Sequence, residues 1–226
     1  VCIVSARWPA NGLSVSTTVS THQNGGVSAP NDERPVTYIS VDIEAAGPSP
    51  SNHAMLSIGA CLVDGADMEQ GFYVELQPDR EGVLEAAMSV GGFTLDGLRA
   101  SGTAPAAAMQ QFADWVASVT PAGHRPVLVG FNAAFDWMFV ADYFHRYLGR
   151  NPFGHSALDI KAYYLGVTGS SWAGTSMNFV AERYGLDITL THNALDDARD
   201  QAALFRAVRA ELAARNGPSP DREALT

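Results

Sequence analysis

The run Thr37-Tyr38-Ile39-Ser40-Val41-Asp42-Ile43-Glu44 decides how this chain is read. It is rich in β-branched residues and alternates with period two, the pattern of a strand whose successive side chains point to opposite faces. Thr37, Ile39, Val41 and Ile43 fall on one side, and Tyr38, Ser40, Asp42 and Glu44 on the other. Two carboxylates therefore emerge together at the end of a strand whose opposite face is apolar. Side by side they repel unless a cation or a shared proton separates them. An acidic pair also arises at ordinary solvated strand ends, so its meaning depends on what the rest of the chain brings to it.

Working outward, residues 54–63 and 71–76 read as the next two strands, joined by the turn-like segment 64–70. Residues 104–119 are an Ala-rich amphipathic helix, 126–130 a short buried strand and 133–148 a helix. Shorter helices are expected near 157–165 and 175–184, and a long one over 193–214. Three strands followed by helices alternating with further strands imply an α/β fold with a mixed sheet and helices packed against it.

Helical phase then sorts the other acids. Asp136 lies in the first turn of its helix, where the macrodipole favours an anion, and aligns with Val140, Tyr143 and Tyr147. Asp142 projects to the other side and reads as solvated. Asp197 aligns with Gln201, Leu204 and Val208 on the final helix, whereas Asp196 is a helix-start charge. An acid on a core-facing stripe needs a partner, because an unpaired buried charge is too costly. His192 stands five residues before Asp197. Alone it would be a capping or surface residue; beside inward carboxylates, a neutral imidazole can take a proton from a reacting water. Four inward acids and one histidine suit a site for two hard, oxygen-seeking cations.

The 226 residues are enough for one full-sized domain, expected over 36–215. Residues 1–35, rich in Ser, Thr, Gly, Asn and Pro, read as a flexible arm that could dock a protein partner, and 216–226 as a second tail. No apolar run is long enough to cross a membrane, and no secretory signal is evident. Cys2 and Cys61 form no disulfide framework or zinc spacing, which suggests a reducing, cytoplasmic setting. The formal net charge of −10, with 13 Arg and one Lys, weighs against a passive nucleic-acid binder. It is compatible with an enzyme that meets its substrate through bound cations.

Three motifs in order, VDIE (Asp42, Glu44), FNAAFD (Asp136) and HNALDD (His192, Asp197), resemble the DEDDh branch of the DnaQ-like 3′→5′ exonuclease superfamily. The resemblance covers nearly all of 36–210, and the histidine distinguishes this branch from its tyrosine-bearing relative. It implies an RNase H-like fold with a central mixed five-stranded sheet flanked by helices. It also implies two Mg²⁺ or Mn²⁺ ions, with Asp42 bridging both, Glu44 and Asp197 holding one, and Asp136 supporting the other. His192 would be the general base in hydrolysis of the terminal phosphodiester of single-stranded DNA or RNA 3′ ends, releasing nucleoside 5′-monophosphates. A proofreading partner of a polymerase and a catalytically silent binding module are the rival readings. The absence of a recognisable second domain favours a stand-alone enzyme. Departures lie at Phe131, where the family often has His, and at Ala45–Ala46, where a polar residue is frequent. His53 and Met55, after the loop that follows the carboxylate pair, are candidates for contact with the terminal base.

Overall fold

The computed structural model describes residues 34–65, 70–189 and 191–217. The expected arm 1–35, save its last two residues, and the tail 216–226, save its first two, lie outside them. So does most of the turn 64–70.

Five strands form one mixed sheet: β1 (Val36–Ala45), β2 (Met55–Leu62), β3 (Gly71–Glu75), β4 (Arg125–Gly130) and β5 (Leu158–Asp159), in the order β3-β2-β1-β4-β5. β1 is antiparallel to β2 and parallel to β4, and β4 is parallel to β5. The C-terminal ends of β1, β4 and β5 therefore share one edge of the molecule. Among the described residues seven helices follow or intervene: α1 (Glu85–Gly91), α2 (Leu95–Ser101), α3 (Pro105–Val119), α4 (Ala134–Leu148), α5 (Ile160–Thr168), α6 (Met177–Tyr184) and α7 (Ala194–Asn216). A 3₁₀ turn, Trp172–Thr175, precedes α6.

The alternation of β1 sends Ile39, Val41 and Ile43 into a core with Phe112 and Val116 of α3 and Phe139, Val140 and Tyr143 of α4. On the other face Tyr38 joins Cys61, Val129, Ile160, Ala198, Ala202 and Phe205, which packs α7 and α5 against the sheet. Both faces are thus covered, as an RNase H-like mixed sheet requires.

Two sequence expectations need correction. α1 and α2 were not anticipated: each is seven residues long, and α1 starts at Leu84 without a side-chain cap, so neither carries much periodic signal. The helix expected near 157–165 begins at Ile160, because Leu158 and Asp159 pair with Val129 and Gly130 as the fifth strand.

Candidate active site

β1 delivers Asp42 and Glu44 to the edge of the sheet, and the register with β2 shifts after Glu44, so that Ala45 pairs with Met55. Asp136, in the first turn of α4, is only 4 % exposed, and its Oδ1 accepts a hydrogen bond of 3.1 Å from the backbone N–H of Ile43. This acid thereby ties the start of α4 to β1, between the other two carboxylates. Asp197 is 3 % exposed. Its Oδ1 accepts from the N–H and hydroxyl of Thr191, and its Oδ2 accepts from the N–H of His192 at 3.1 Å. The carboxylate so fastens the turn that presents the histidine. His192 has φ 56° and Asn132 has φ 63°; among the described residues they are the two non-glycine positions of positive φ. Each enters a helix that carries a site acid, and such conformations cluster where surrounding structure holds them for function.

The donors converge. Ligand atoms of Glu44, His192 and Asp197 all lie within 4.8 Å of one another. Burial, and then the charges of Asp136, Glu44 and Asp197, push the Asp42 carboxyl well above the usual range, against a hydrogen bond from Gln201 that favours the anion. Burial and then Asp197 raise Glu44 to about 7. Burial raises Asp136 to about 8, opposed by backbone hydrogen bonds, chiefly that of Ile43, and aided by the charges of Glu44 and Asp159. Crowding and burial thus favour the protonated forms of Asp42, Glu44 and Asp136 unless a cation replaces the protons. Carboxylate oxygens with one imidazole are the donors that hard divalent ions prefer, so the residues present fit Mg²⁺ or Mn²⁺.

Two clefts flank this cluster. One of about 470 Å³ is lined by Tyr73, Glu75, Gly91, Phe93, His192 and Asn193 among others. The second, about 410 Å³ and largely apolar, is lined by Glu44, Ala45, Pro48, Leu84, Ala87 and Phe135. The unanticipated α1 contributes to both.

Of the five principal residues read from the sequence, Glu44, His192 and Asp197 meet within ligand distance and Asp42 and Asp136 lie within electrostatic reach of that group, whereas the two candidate base contacts do not join it. Met55 has no exposed surface; it packs in the core and its N–H donates to the Tyr143 hydroxyl at 2.8 Å, so its side chain offers nothing to a substrate. His53 lies with its ring against Gly47, where a Cβ would come within 2.3 Å, and with Nδ1 3.1 Å from the Ser49 carbonyl oxygen. It braces the loop after β1. Asp142 is not simply solvated: it pairs with Arg80 and Arg146.

The residue passed over was Gln201. Its amide N–H donates to Asp42 Oδ1 at 2.6 Å and its carbonyl accepts from the N–H of Phe131 at 2.8 Å. Its place one turn after Asp197 on a core-facing stripe was the available signal. Asp159 caps the start of α5 by accepting from Ala162 N–H, and its other oxygen accepts from Ala133 N–H at the start of α4.

Residues 39–205 match the RNase T family of exonucleases. The chain is 45% identical over 171 residues to the 3′–5′ DNA exonuclease Cap18 of Escherichia coli, which covers 76% of this chain and 90% of that protein. It is 23% identical to the PolC-type DNA polymerase III of Staphylococcus haemolyticus, matching 77% of this chain but 11% of the polymerase. Among solved structures, the nuclease domain of 3′hExo, a DEDDh family member bound to rAMP, has a TM-score of 0.64 at 18% identity, over 77% of this chain and 92% of that one. E. coli Exonuclease I in complex with a dT13 oligonucleotide has a TM-score of 0.61 at 18% identity, over 78% and 41%. At such identities the likeness is one of fold. With the fold, the ordered motifs and a 45%-identical relative in agreement, the chain belongs to the RNase T family of exonucleases, as a DnaQ-like 3′→5′ exonuclease.

Proposed function

We propose that this enzyme removes nucleotides one at a time from the 3′ end of single-stranded DNA and releases nucleoside 5′-monophosphates. Asp42, Glu44, Asp136 and Asp197 would hold two divalent ions, Mg²⁺ or Mn²⁺, and His192 would be the general base. The observation that carries this reading is the convergence of Glu44, His192 and Asp197 within 4.8 Å beside two further raised carboxylates. When bound, such ions acidify the attacking water and stabilise charge on the attacking and leaving oxygens.

The chain's own residues supply the rest. Asp197 holds the 191–192 turn, so the imidazole of His192 stands over the carboxylates. His192 accepts a proton from water as the water oxygen bonds to the terminal phosphorus. The bond from phosphorus to O3′ of the preceding nucleotide breaks, O3′ keeps the electron pair and is protonated by solvent, and the phosphate leaves on the 5′ side of the released nucleotide. The apolar cleft beside Glu44 takes the terminal base, with Leu84 and Phe135 as its walls. DNA is preferred over RNA as substrate because Cap18 is a DNA exonuclease.

The test offers 5′-labelled single-stranded DNA and RNA with Mg²⁺ or Mn²⁺. A ladder shortening from the 3′ end is expected, with 5′-mononucleotides as product and no reaction in chelator. His192→Ala should slow it by about 10²- to 10⁴-fold, and Asp197→Ala at least as much. Failure of the wild type to release mononucleotides, or full activity in Asp197→Ala, overturns the reading. A second reading, an exonuclease that serves a polymerase, draws on the match to PolC-type polymerases. Co-purification with a polymerase subunit would favour it.

A further inference from the structure

The edge that carries the carboxylates also carries an exposed aromatic surface that no step above uses. Trp172, in the 3₁₀ turn, is 65 % exposed, and Phe179, on α6, is 51 % exposed. The Phe179 ring lies close to Gly174, two residues past Trp172, so both rings belong to one surface. Apolar rings of this size are normally covered. The ammonium of Lys161 stands 4.1 Å from the centre of the Trp172 ring.

Lys161 is the only lysine in a chain of net charge −10. Arg80, Arg99, Arg146, Arg183, Arg199, Arg209 and Arg215 are each paired with a carboxylate. Lys161 has no carboxylate partner among the described residues, and its contact is with a neutral ring. Topology fixes where this cation sits. Lys161 is in the first turn of α5, directly after β5, whose C-terminal end lies at the same sheet edge as those of β1 and β4. Asp159, two residues earlier, holds the N–H of Ala133, and Ala133 precedes Asp136 by three. Lys161 and the ring beside it therefore lie on the β5 side of the sheet edge that carries the catalytic carboxylates.

We propose that Trp172, Phe179 and Lys161 form a binding site for the DNA strand upstream of the terminal nucleotide. Bases stack on the two rings, and Lys161 meets a backbone phosphate. Every base has a π-face, so stacking holds strands of any sequence, while a cation beside the rings tracks the backbone. In a chain this acidic, a cation at the active edge with no carboxylate partner among the described residues is a natural phosphate contact. This inference rests on the single-stranded DNA reading of the preceding subsection.

Steady-state release of mononucleotide from a twelve-residue oligothymidylate and from a thymidine dinucleotide tests it, because the dinucleotide offers only one nucleoside upstream of the terminal nucleotide. For Trp172→Ala, KM on the long strand should rise by about 5- to 100-fold, the worth of one stacked base, with kcat unchanged. KM on the dinucleotide should stay at the wild-type value. Trp172→Phe, which restores a ring, should recover most of the loss, and Lys161→Met should raise KM on the long strand more at low salt than at high. A wild-type KM for Trp172→Ala on the long strand overturns the proposal and leaves the surface to another occupant, such as a protein. An equal rise on both substrates overturns it too, since the defect would then lie in the catalytic cluster. A wild type inactive on both strands would instead overturn the single-stranded DNA reading beneath it.

Discussion

Gln201 holds Asp42 with a neutral donor, and the neutrality matters. A lysine there would satisfy the carboxylate and also repel a cation; the amide fixes Asp42 Oδ1 and leaves the negative charge available. Gln201→Glu exchanges that donor for a fifth acid, so the half-saturating Mg²⁺ concentration should rise by about 10- to 100-fold, as when a residue supporting a metal ligand is lost. A metal titration of activity checks this, and an unchanged midpoint would remove Gln201 from the site. Asp136 makes a different prediction. Asp136→Asn keeps an acceptor for the Ile43 N–H but removes a charge from a crowded, buried cluster. Without metal, at a pH above about 8 where the wild-type carboxyl ionises, the variant should melt higher than wild type, whereas its exonuclease rate should fall by at least about 100-fold. A lower melting temperature would show that the charge stabilises the fold. The inward phase of Asp136 and Asp197 was legible because it follows from helical period alone. The role of Gln201 was not, since its partner lies 159 residues away in sequence.

Among the elements, the start of α7 decides whether the histidine meets the carboxylates. It comes so close to β2 that a Cβ on Gly59 would stand 2.1 Å from the backbone of Ala194. Glycine inside a strand marks such an approach of another backbone. Asp197 and the 191–192 turn follow from this packing, so a displaced α7 would carry off both His192 and an acid. Gly59→Ala should therefore destabilise by about 3 kcal/mol and lower Tm by on the order of 10 °C. Residual activity should fall more steeply than the folded fraction, as measured by circular dichroism beside an exonuclease assay. Wild-type activity in a folded variant would mean that α7 can shift without consequence. The long elements were legible from periodicity. α1 and α2 were not: they owe their helicity to packing, with Leu98 of α2 buried beside Ala46, Ala54 and Leu56.

For the molecule as a whole, the acid cluster makes stability depend on pH and on metal. Glu44 and Asp136 have folded-state values of about 7 and about 8, above their ordinary 4.5 and 3.8. The native state therefore binds more protons than the unfolded chain across this interval. Their contribution to stability is full below about pH 4 and is lost as pH rises toward 8. Asp79, lowered by hydrogen bonds from Tyr143 and Tyr147 and its pair with Arg80 despite burial that raises it, acts oppositely and only at more acid pH. Metal-free protein should thus show a falling Tm from about pH 5 to pH 8 in scanning calorimetry. Mg²⁺ or Mn²⁺ should raise Tm at pH 8 far more than at pH 5, since ions that bind only the native state stabilise it by mass action. A flat profile, or equal metal effects at both pH values, would contradict the cluster's electrostatics. What this amino-acid sequence determined by itself was the set of elements with long periodic runs and the inward direction of Asp42, Glu44, Asp136 and Asp197, because both depend only on the fixed repeat of strand and helix. Tertiary structure alone decided that Glu44, His192 and Asp197 meet within 4.8 Å, that Gln201 serves Asp42, that Met55 is out of reach, and that Trp172 and Phe179 stay uncovered. Those facts depend on which distant segments the sheet order and the approach of α7 bring into contact, and no local repeat encodes that.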